Sequence, residues 1–147
     1  MLFFANSSRV LAQQNNDHYQ TMKDDILLLV NKYRAKKHLK PLAINPIITT
    51  AAEKHSHNMA TGKVEFGHEG FDERMAQIGK QVKPALAWAE NVLMGSRTAN
   101  EAVAQWLNSE GHRHNIEGDY NLTGIGIVKS KSGELYFTQI FWQGGKK

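Results

Sequence analysis

The stretch LTGIGIVKSKSGELYFTQIFW, residues 122–142, decides the fold class of this 147-residue chain. Residues 122–128 and 135–142 carry apolar side chains in the alternating pattern of strands, and the polar segment 129–133 separates them. This arrangement predicts a β-hairpin near the C-terminus. Helical periodicity dominates the chain before it, so an α+β fold with helices layered on a sheet is expected.

The segments before the hairpin carry start and stop signals of helices. Asn45-Pro46 combines an N-cap residue with a proline at the first helical position. Thr98 and Glu101 form a capping box, and Gly111 is expected to end the helix that they open. Apolar spacing and these signals predict helices over residues 22–37, 46–61, 71–78 and 98–110.

The length and the 41% hydrophobic content fit one packed domain, which we place at residues 21–147. Residues 1–20 are predicted to form a flexible N-terminal extension. Its beginning, MLFFANSSRVLAQQ, has an apolar start and a small-residue end but lacks a basic segment. A remnant of a secretory signal peptide and a disordered terminus are both open interpretations.

Composition narrows the class of protein. The formal charge is +4, from 18 Lys+Arg and 14 Asp+Glu, with acids and bases interspersed except in the basic cluster 34–40, which has the position of a helix C-terminus. This pattern favours a solvated surface and no nucleic-acid partner. No apolar run has the length of a transmembrane segment. The chain contains no cysteine, so a metal ion would require His, Asp or Glu ligands.

Histidines and one glutamate are the main candidates for a site. His55 continues the apolar stripe of the second helix and is expected to be a satisfied buried residue, whereas His57 lies off the stripe and is expected to be solvated. His68 lies in a glycine-containing loop, where periodicity gives no reason for burial. Glu90 stands alone in an apolar segment and needs a partner if it is buried. His112 follows Gly111 at the predicted helix end, where helix capping is the simpler interpretation.

Other polar and aromatic residues have structural interpretations. Arg113 is expected to anchor the turn after the fourth helix, Arg74 to pair with a local acid, and His114 to lie at the surface. A triad of Ser109, His112 and Glu90 is conceivable at this spacing but is the weaker hypothesis. The three tryptophans are expected in the core: Trp88, Trp106 and Trp142.

In order, several segments resemble the CAP superfamily, the SCP-like domain of cysteine-rich secretory proteins, venom allergens and plant pathogenesis-related proteins. The likeness is greatest to its bacterial, cysteine-free branch and extends over about residues 26–142. The segments that carry it are NKYRAKKHLKPLAINPIITTAAEKHSHNMA, FGHEGFDERM, AENVLMG, AVAQWLNSEGHRHNI, and LTGIGIV with YFTQIFW.

The resemblance implies a three-layer α-β-α sandwich around a mainly antiparallel sheet, with a cleft that gathers histidines and glutamates. In some members this cleft holds a divalent cation such as zinc or magnesium. By motif, His68, Glu90 and His112 correspond to cleft residues and are the candidate metal ligands, with zinc favoured over magnesium. Many eukaryotic members carry a second glutamate where this chain has Ser109, next to Glu110, and a late histidine that has no counterpart here.

Three functions follow as hypotheses. The first is a secreted, periplasmic or cell-surface binding module, monomeric, that recognises a lipid, peptide, glycan or protein ligand. The second is a metal-dependent hydrolase acting on peptide or cell-envelope substrates, although the sequence designates no base or oxyanion stabiliser. The third is a structural domain whose His-Glu network only stabilises the fold. Binding is favoured over catalysis, because the family has no agreed catalytic activity.

Overall fold

A computed structural model describes residues 3–144 of the chain, and the side chains from residue 6 onward. The elements follow the order α1 (Phe3–Lys36), β1 (Ala43–Ile44), α2 (Pro46–Ala60), α3 (Phe71–Gly79), β2 (Ala87–Met94), α4 (Ala99–Asn108), α5 (Glu110–Ile116), β3 (Leu122–Lys129) and β4 (Leu135–Gln143). The predicted hairpin is therefore confirmed as β3 and β4.

The four strands form one sheet in the order β1-β3-β4-β2. The two long pairings, β3 with β4 and β4 with β2, are antiparallel, and the two-residue β1 pairs in parallel with β3. Helices cover both faces, which confirms the predicted three-layer α-β-α sandwich with a mainly antiparallel sheet. Strand β2 lies at one edge of this sheet. Because Glu90 belongs to β2, the candidate site residues around it lie at that edge.

Each face of the sheet has its own apolar core. On the first face, α1 and α4 pack against the sheet through residues such as Ile26, Trp106 and Phe141. On the second face, α2 and α3 pack against it through residues such as Ile48 and Trp142. Since side chains of a strand alternate between faces, consecutive residues of β4 serve different layers.

Helix α2 approaches β3 unusually closely. A Cβ atom on Gly124 would lie 2.2 Å from the backbone nitrogen of Thr49, and one on Gly126 would lie 2.4 Å from the backbone of Ala52. The Ser56 hydroxyl donates a hydrogen bond to the Gly126 carbonyl oxygen at 3.0 Å. The two glycines of the LTGIGIV segment therefore let the helix backbone lie directly on the strand.

The first helix is longer than the apolar spacing predicts. It begins at Phe3, and the residues over 6–18 are exposed. A side-chain hydrogen bond one turn apart, from Gln13 to Asp17 at 2.9 Å, stabilises this polar section, and a second, from Gln20 to Asp24 at 2.9 Å, follows it along the helix. Residues 3–20 are thus helical, and both the flexibility of the extension and the domain boundary at residue 20 stay predictions.

The caps are confirmed, with one correction. Asn45 Oδ1 accepts hydrogen bonds from the amides of Ile47 and Ile48, and Thr98 Oγ1 accepts one from the amide of Glu101. Gly111 does not end a helix: the chain leaves helical geometry at Ser109, and α5 begins one residue later. Among the described residues, no helix has both the length and the hydropathy needed to cross a membrane.

Two of the three tryptophans occupy the predicted core. Trp106 and Trp142 are fully buried, whereas Trp88 is 42% exposed. Trp88 lies on the edge strand β2 and stacks on Trp142, with ring centroids 5.4 Å apart. The prediction for Trp88 is therefore wrong, because an edge strand leaves one side of the ring uncovered.

Candidate functional site

The site is centred on two consecutive residues of β2, Glu90 and Asn91, which point to opposite faces of the sheet. Glu90 faces the layer of α2 and α3, where His55 and Arg74 lie near it. Asn91 faces α5 and donates a hydrogen bond to the His112 carbonyl oxygen. One dipeptide at the sheet edge therefore connects both helical layers to the site.

Arg74 is the strongest partner of Glu90. Its Nε and Nη2 donate to the two carboxylate oxygens at 2.7 and 2.8 Å, a bidentate pair, and the Glu90 side chain is fully buried. A third bond runs from Arg74 Nη1 to the Glu69 carbonyl oxygen at 3.1 Å. The predicted local acid of Arg74 is thus Glu90 itself, and the guanidinium satisfies the charge of a carboxylate that has left water.

His68 contacts the same carboxylate from the solvent side. Its Nδ1 lies 2.9 Å from Glu90 Oε1, and its side chain is 50% exposed. A carboxylate only accepts hydrogen bonds, so Nδ1 carries a proton, and in the neutral ring Nε2 then has a free lone pair. Within residues 3–144, Nε2 of His68 has no hydrogen-bond partner. The contact predicted only by resemblance, between His68 and Glu90, is present in the structure.

His55 is buried behind this contact, as the apolar stripe predicts. Its Nε2 donates to the Gly67 carbonyl oxygen at 2.7 Å and lies 3.8 Å from Glu90 Oε1. Burial lowers the pKa of His55 from its usual 6.5, against the opposing effects of the Gly67 hydrogen bond and of Glu90. His55 is therefore a neutral donor that fixes the loop carrying His68. His57, on the same helix, is exposed as expected.

His112 reaches the site from α5. The Asn91 amide donates to its carbonyl oxygen at 3.0 Å, and Asn115 Nδ2 donates to Asn91 Oδ1 at 2.9 Å. Burial lowers the pKa of His112, and electrostatic interaction with His68 lowers it further. The two imidazoles are thus close enough to interact. No hydrogen bond joins His112 to Glu90 among the described residues.

The surroundings of His112 settle three further expectations. Arg113 Nη1 donates to the Leu107 carbonyl oxygen at 2.9 Å and anchors the turn between α4 and α5, as predicted. His114 is exposed, as predicted. The triad of Ser109, His112 and Glu90 is not formed, because in the described chain the carboxylate of Glu90 is held by Arg74 and His68.

Sequence reasoning predicted an acidic partner for Arg74 but not that this partner is Glu90, and it assigned no role to Asn91. A signal for Arg74 exists, since it shares one face of α3 with the core residues Met75 and Ile78, and a cation on such a face needs a partner. For Asn91 the signal is its adjacency to Glu90 in a strand, where neighbours face opposite layers. Among the described residues, no group of three or more His, Asp or Glu side chains has the geometry of a preformed metal site. The assignment of His68, Glu90 and His112 to a metal stays a prediction.

Comparison with known families gives a match over most of the chain. The sequence model of the cysteine-rich secretory protein family, CAP, matches residues 27–141. The curated protein YkwD of Bacillus subtilis strain 168 is 36% identical over 120 residues, which are 78% of this chain and 44% of YkwD. This chain therefore spans less than half the length of that relative.

Solved structures show the same fold. An extracellular protein containing an SCP domain, from Bacillus anthracis, superposes with a TM-score of 0.73 at 24% identity, covering 84% of this chain and 41% of that one. An outer surface protein of Borrelia burgdorferi superposes with a TM-score of 0.68 at 20% identity, covering 84% of this chain and 96% of that one. At these identities the likeness establishes the architecture around the site.

Proposed function

The chain belongs to the cysteine-rich secretory protein (CAP) family, in its bacterial, cysteine-free branch, and from this premise we propose that it is an extracytoplasmic binding module. Secretion or display at the cell surface is in keeping with the related proteins described as extracellular or outer-surface. In this proposal the edge formed by His68, Glu90 and His112 binds a divalent cation and is part of a surface that recognises a lipid, peptide, glycan or protein ligand.

The contact of His68 with the buried Glu90 carries the proposal. A carboxylate that accepts a hydrogen bond from Nδ1 of a histidine fixes the orientation and the tautomer of the ring, and leaves Nε2 as a ligand atom. His112 adds a second imidazole whose lowered pKa keeps it neutral near pH 7, as a metal ligand must be. Both Glu90 oxygens already accept hydrogen bonds, so we assign Glu90 the supporting position and the imidazoles the direct ligands.

These donors fit zinc better than magnesium. Two imidazoles suit Zn²⁺, whereas Mg²⁺ prefers oxygen ligands, and here the carboxylate oxygens are held by Arg74 and His68. A bound zinc ion would supply Lewis acidity and open coordination positions for water or a ligand group. Arg74, His55 and Asn91 act on the protein side: they hold Glu90, the loop of His68 and the backbone of His112.

A metal-dependent hydrolase of peptide or cell-envelope material is the second candidate, favoured by the half-exposed His68 beside a neutral His112. Hydrolysis requires a positioned base as well. Glu90 is the carboxylate in contact with His68, but both its oxygens already accept hydrogen bonds from Arg74 or His68, which leaves it poorly placed to take a proton from a water molecule. Binding without turnover is therefore the function that we favour.

Zinc titration by calorimetry tests this proposal. Wild type is expected to bind one zinc ion per chain, and the double variant His68→Ala/His112→Ala to lose affinity by about tenfold or more, on the order of an imidazole ligand's contribution. The matched control is His57→Ala/His114→Ala, which removes two exposed histidines and is expected to bind like wild type. Equal affinity in all three proteins would exclude the site. Turnover of a peptide, ester or glycan by wild type but not by the double variant would favour the hydrolase.

A further inference from the structure

An open cavity of about 400 Å³ lies between α2, α3 and the loop over 61–70, next to the candidate metal edge. Arg74 and His55 belong to its wall, whereas His68, Glu90 and His112 do not line it. Its volume is in the range of cavities that bind small ligands. It is therefore a separate space that shares one wall with the site described above.

The cavity has walls of opposite charge. Lys54 on α2 and Lys63 at the start of the loop lie on one side, and Glu69 and Glu73, at the end of the loop and the start of α3, lie on the other. In the described part of the chain none of these four side chains makes an ion pair within 4 Å. The four charged side chains are therefore exposed to solvent without an ion-pair partner in that part of the chain.

Two carboxamides complete the lining. Asn58 on α2 and Gln77 on α3 face the cavity, and over residues 3–144 neither side chain makes a hydrogen bond. A carboxamide offers one acceptor and two donors, the same groups that a peptide bond requires. Ala51 and Val64 add apolar surface between them.

We propose that this cavity binds a short peptide with free termini, its carboxylate at Lys54 and Lys63 and its ammonium group at Glu69 and Glu73. The carboxamides of Asn58 and Gln77 then contact the peptide bonds. This inference rests on the proposed binding function and names its ligand class, but it does not require the metal. The two lysines and the two glutamates sum to zero charge, and the charge of Arg74 in the same wall is neutralised by Glu90. A phosphate would therefore meet two carboxylates and a polycation would meet two ammonium groups, and both are disfavoured.

Titration of the full chain with trialanine, followed by amide NMR shifts, tests the proposal. Saturable shifts are expected around the cavity with a dissociation constant of about 1 mM or lower, as befits a small ligand. N-acetylation or C-terminal amidation of the peptide should weaken binding about fivefold or more. If trialanine causes no saturable shift, or if the blocked peptides bind equally well, the proposal is wrong.

Two variants assign the orientation. Glu73→Gln should weaken trialanine binding and remove most of the penalty of N-acetylation, whereas Lys63→Gln should do the same for amidation. The matched controls are Glu134→Gln and Lys131→Gln, exposed residues in the β3–β4 turn, which should bind as wild type does. Equal weakening by the control variants would overturn the assignment to this cavity.

The outcome is separable from that of the metal proposal. His68→Ala/His112→Ala should lose zinc yet still bind trialanine, because neither residue lines the cavity. Trialanine binding without zinc binding would support the peptide site and reject the metal edge. Zinc binding without trialanine binding would reject the peptide site alone.

Discussion

Arg34 is wholly and Arg74 largely removed from water, and the partners of these two arginines differ in kind. Arg34 is 1% exposed and donates only to backbone carbonyl oxygens, those of Lys40, Ile116, Gly118 and Tyr120, at 2.7 to 3.1 Å. Arg74 donates to a carboxylate that also contacts a half-exposed histidine. Carbonyl partners tie chain segments together, whereas a carboxylate partner connects the cation to groups that reach solvent. The first arrangement serves the fold, and the second can serve a site.

Removing Arg34 should have the largest effect on stability. Arg34→Met leaves four carbonyl groups without their charged donor and separates α1 from the end of α5, so unfolding free energy should fall by about 4 kcal/mol. Urea unfolding measures this loss. Exposed Arg97→Met is the control and should change stability by less than about 0.5 kcal/mol. A loss as small as the control's would mean that the carbonyl cluster contributes nothing net.

Removing Arg74 should cost somewhat less, and unlike Arg34 its loss can be compensated. Arg74→Met leaves the Glu90 charge buried and unpaired, with an expected loss of about 3 kcal/mol. Because the penalty arises from that charge, Arg74→Met/Glu90→Leu should recover a large part of it. A double variant whose loss equals the sum of the two single losses would contradict the pairing. No single partner substitution is expected to rescue Arg34→Met.

Acidification should lower the stability of the region around Arg74, through His55, by a smaller amount than either arginine substitution. Burial lowers the pKa of His55, so below its usual 6.5 the unfolded chain takes up a proton that the folded chain excludes. Stability should therefore fall as pH drops from about 6.5 toward the lowered value, by less than either arginine substitution costs. Besides Gly67, the groups facing this imidazole are Glu90, Arg74 and His68.

Thermal melts between about pH 7 and 5 check this dependence. His55→Gln keeps a donor for the Gly67 carbonyl but does not titrate, so its melting temperature should fall less on acidification than that of wild type. His57→Gln, an exposed histidine on the same helix, should follow wild type. An unchanged slope in His55→Gln would show that His55 is not the responsible group. Some dependence should remain in that variant, because burial also lowers the pKa of His112.

The two arginines also show what the sequence predicts and what it cannot. Local signals gave correct elements: the Asn45-Pro46 cap, the Thr98 cap and the alternating strands of the hairpin. Arg34 looks like one member of a basic cluster at a helix end, which is correct for the helix, but its burial depends on carbonyl groups 82 to 86 residues later in the chain. No local pattern contains that information.

The candidate site likewise has features that the sequence predicts and features that it does not. The order of motifs pointed to His68, Glu90 and His112, and the structure brings the first two into contact and the third into electrostatic range of His68. The predicted end of a helix at Gly111 was wrong, since Ser109 interrupts the helix and α5 then carries His112. The position of Arg74 on both Glu90 oxygens follows from how α3 packs against α2 and the β4 residues Ile140 and Trp142, which spacing along the chain does not specify.

The close approach of α2 to β3 limits which substitutions can change the geometry of the site during evolution. At Gly124 and Gly126 the separation of helix and strand is set by backbone atoms, so mutation of core side chains elsewhere has little means of altering it. His55 lies on that helix, so its distance from the sheet is fixed by the same backbone contacts. The opposite layer, packed through large side chains, can exchange them for others of similar volume over generations while the geometry behind His68 is preserved.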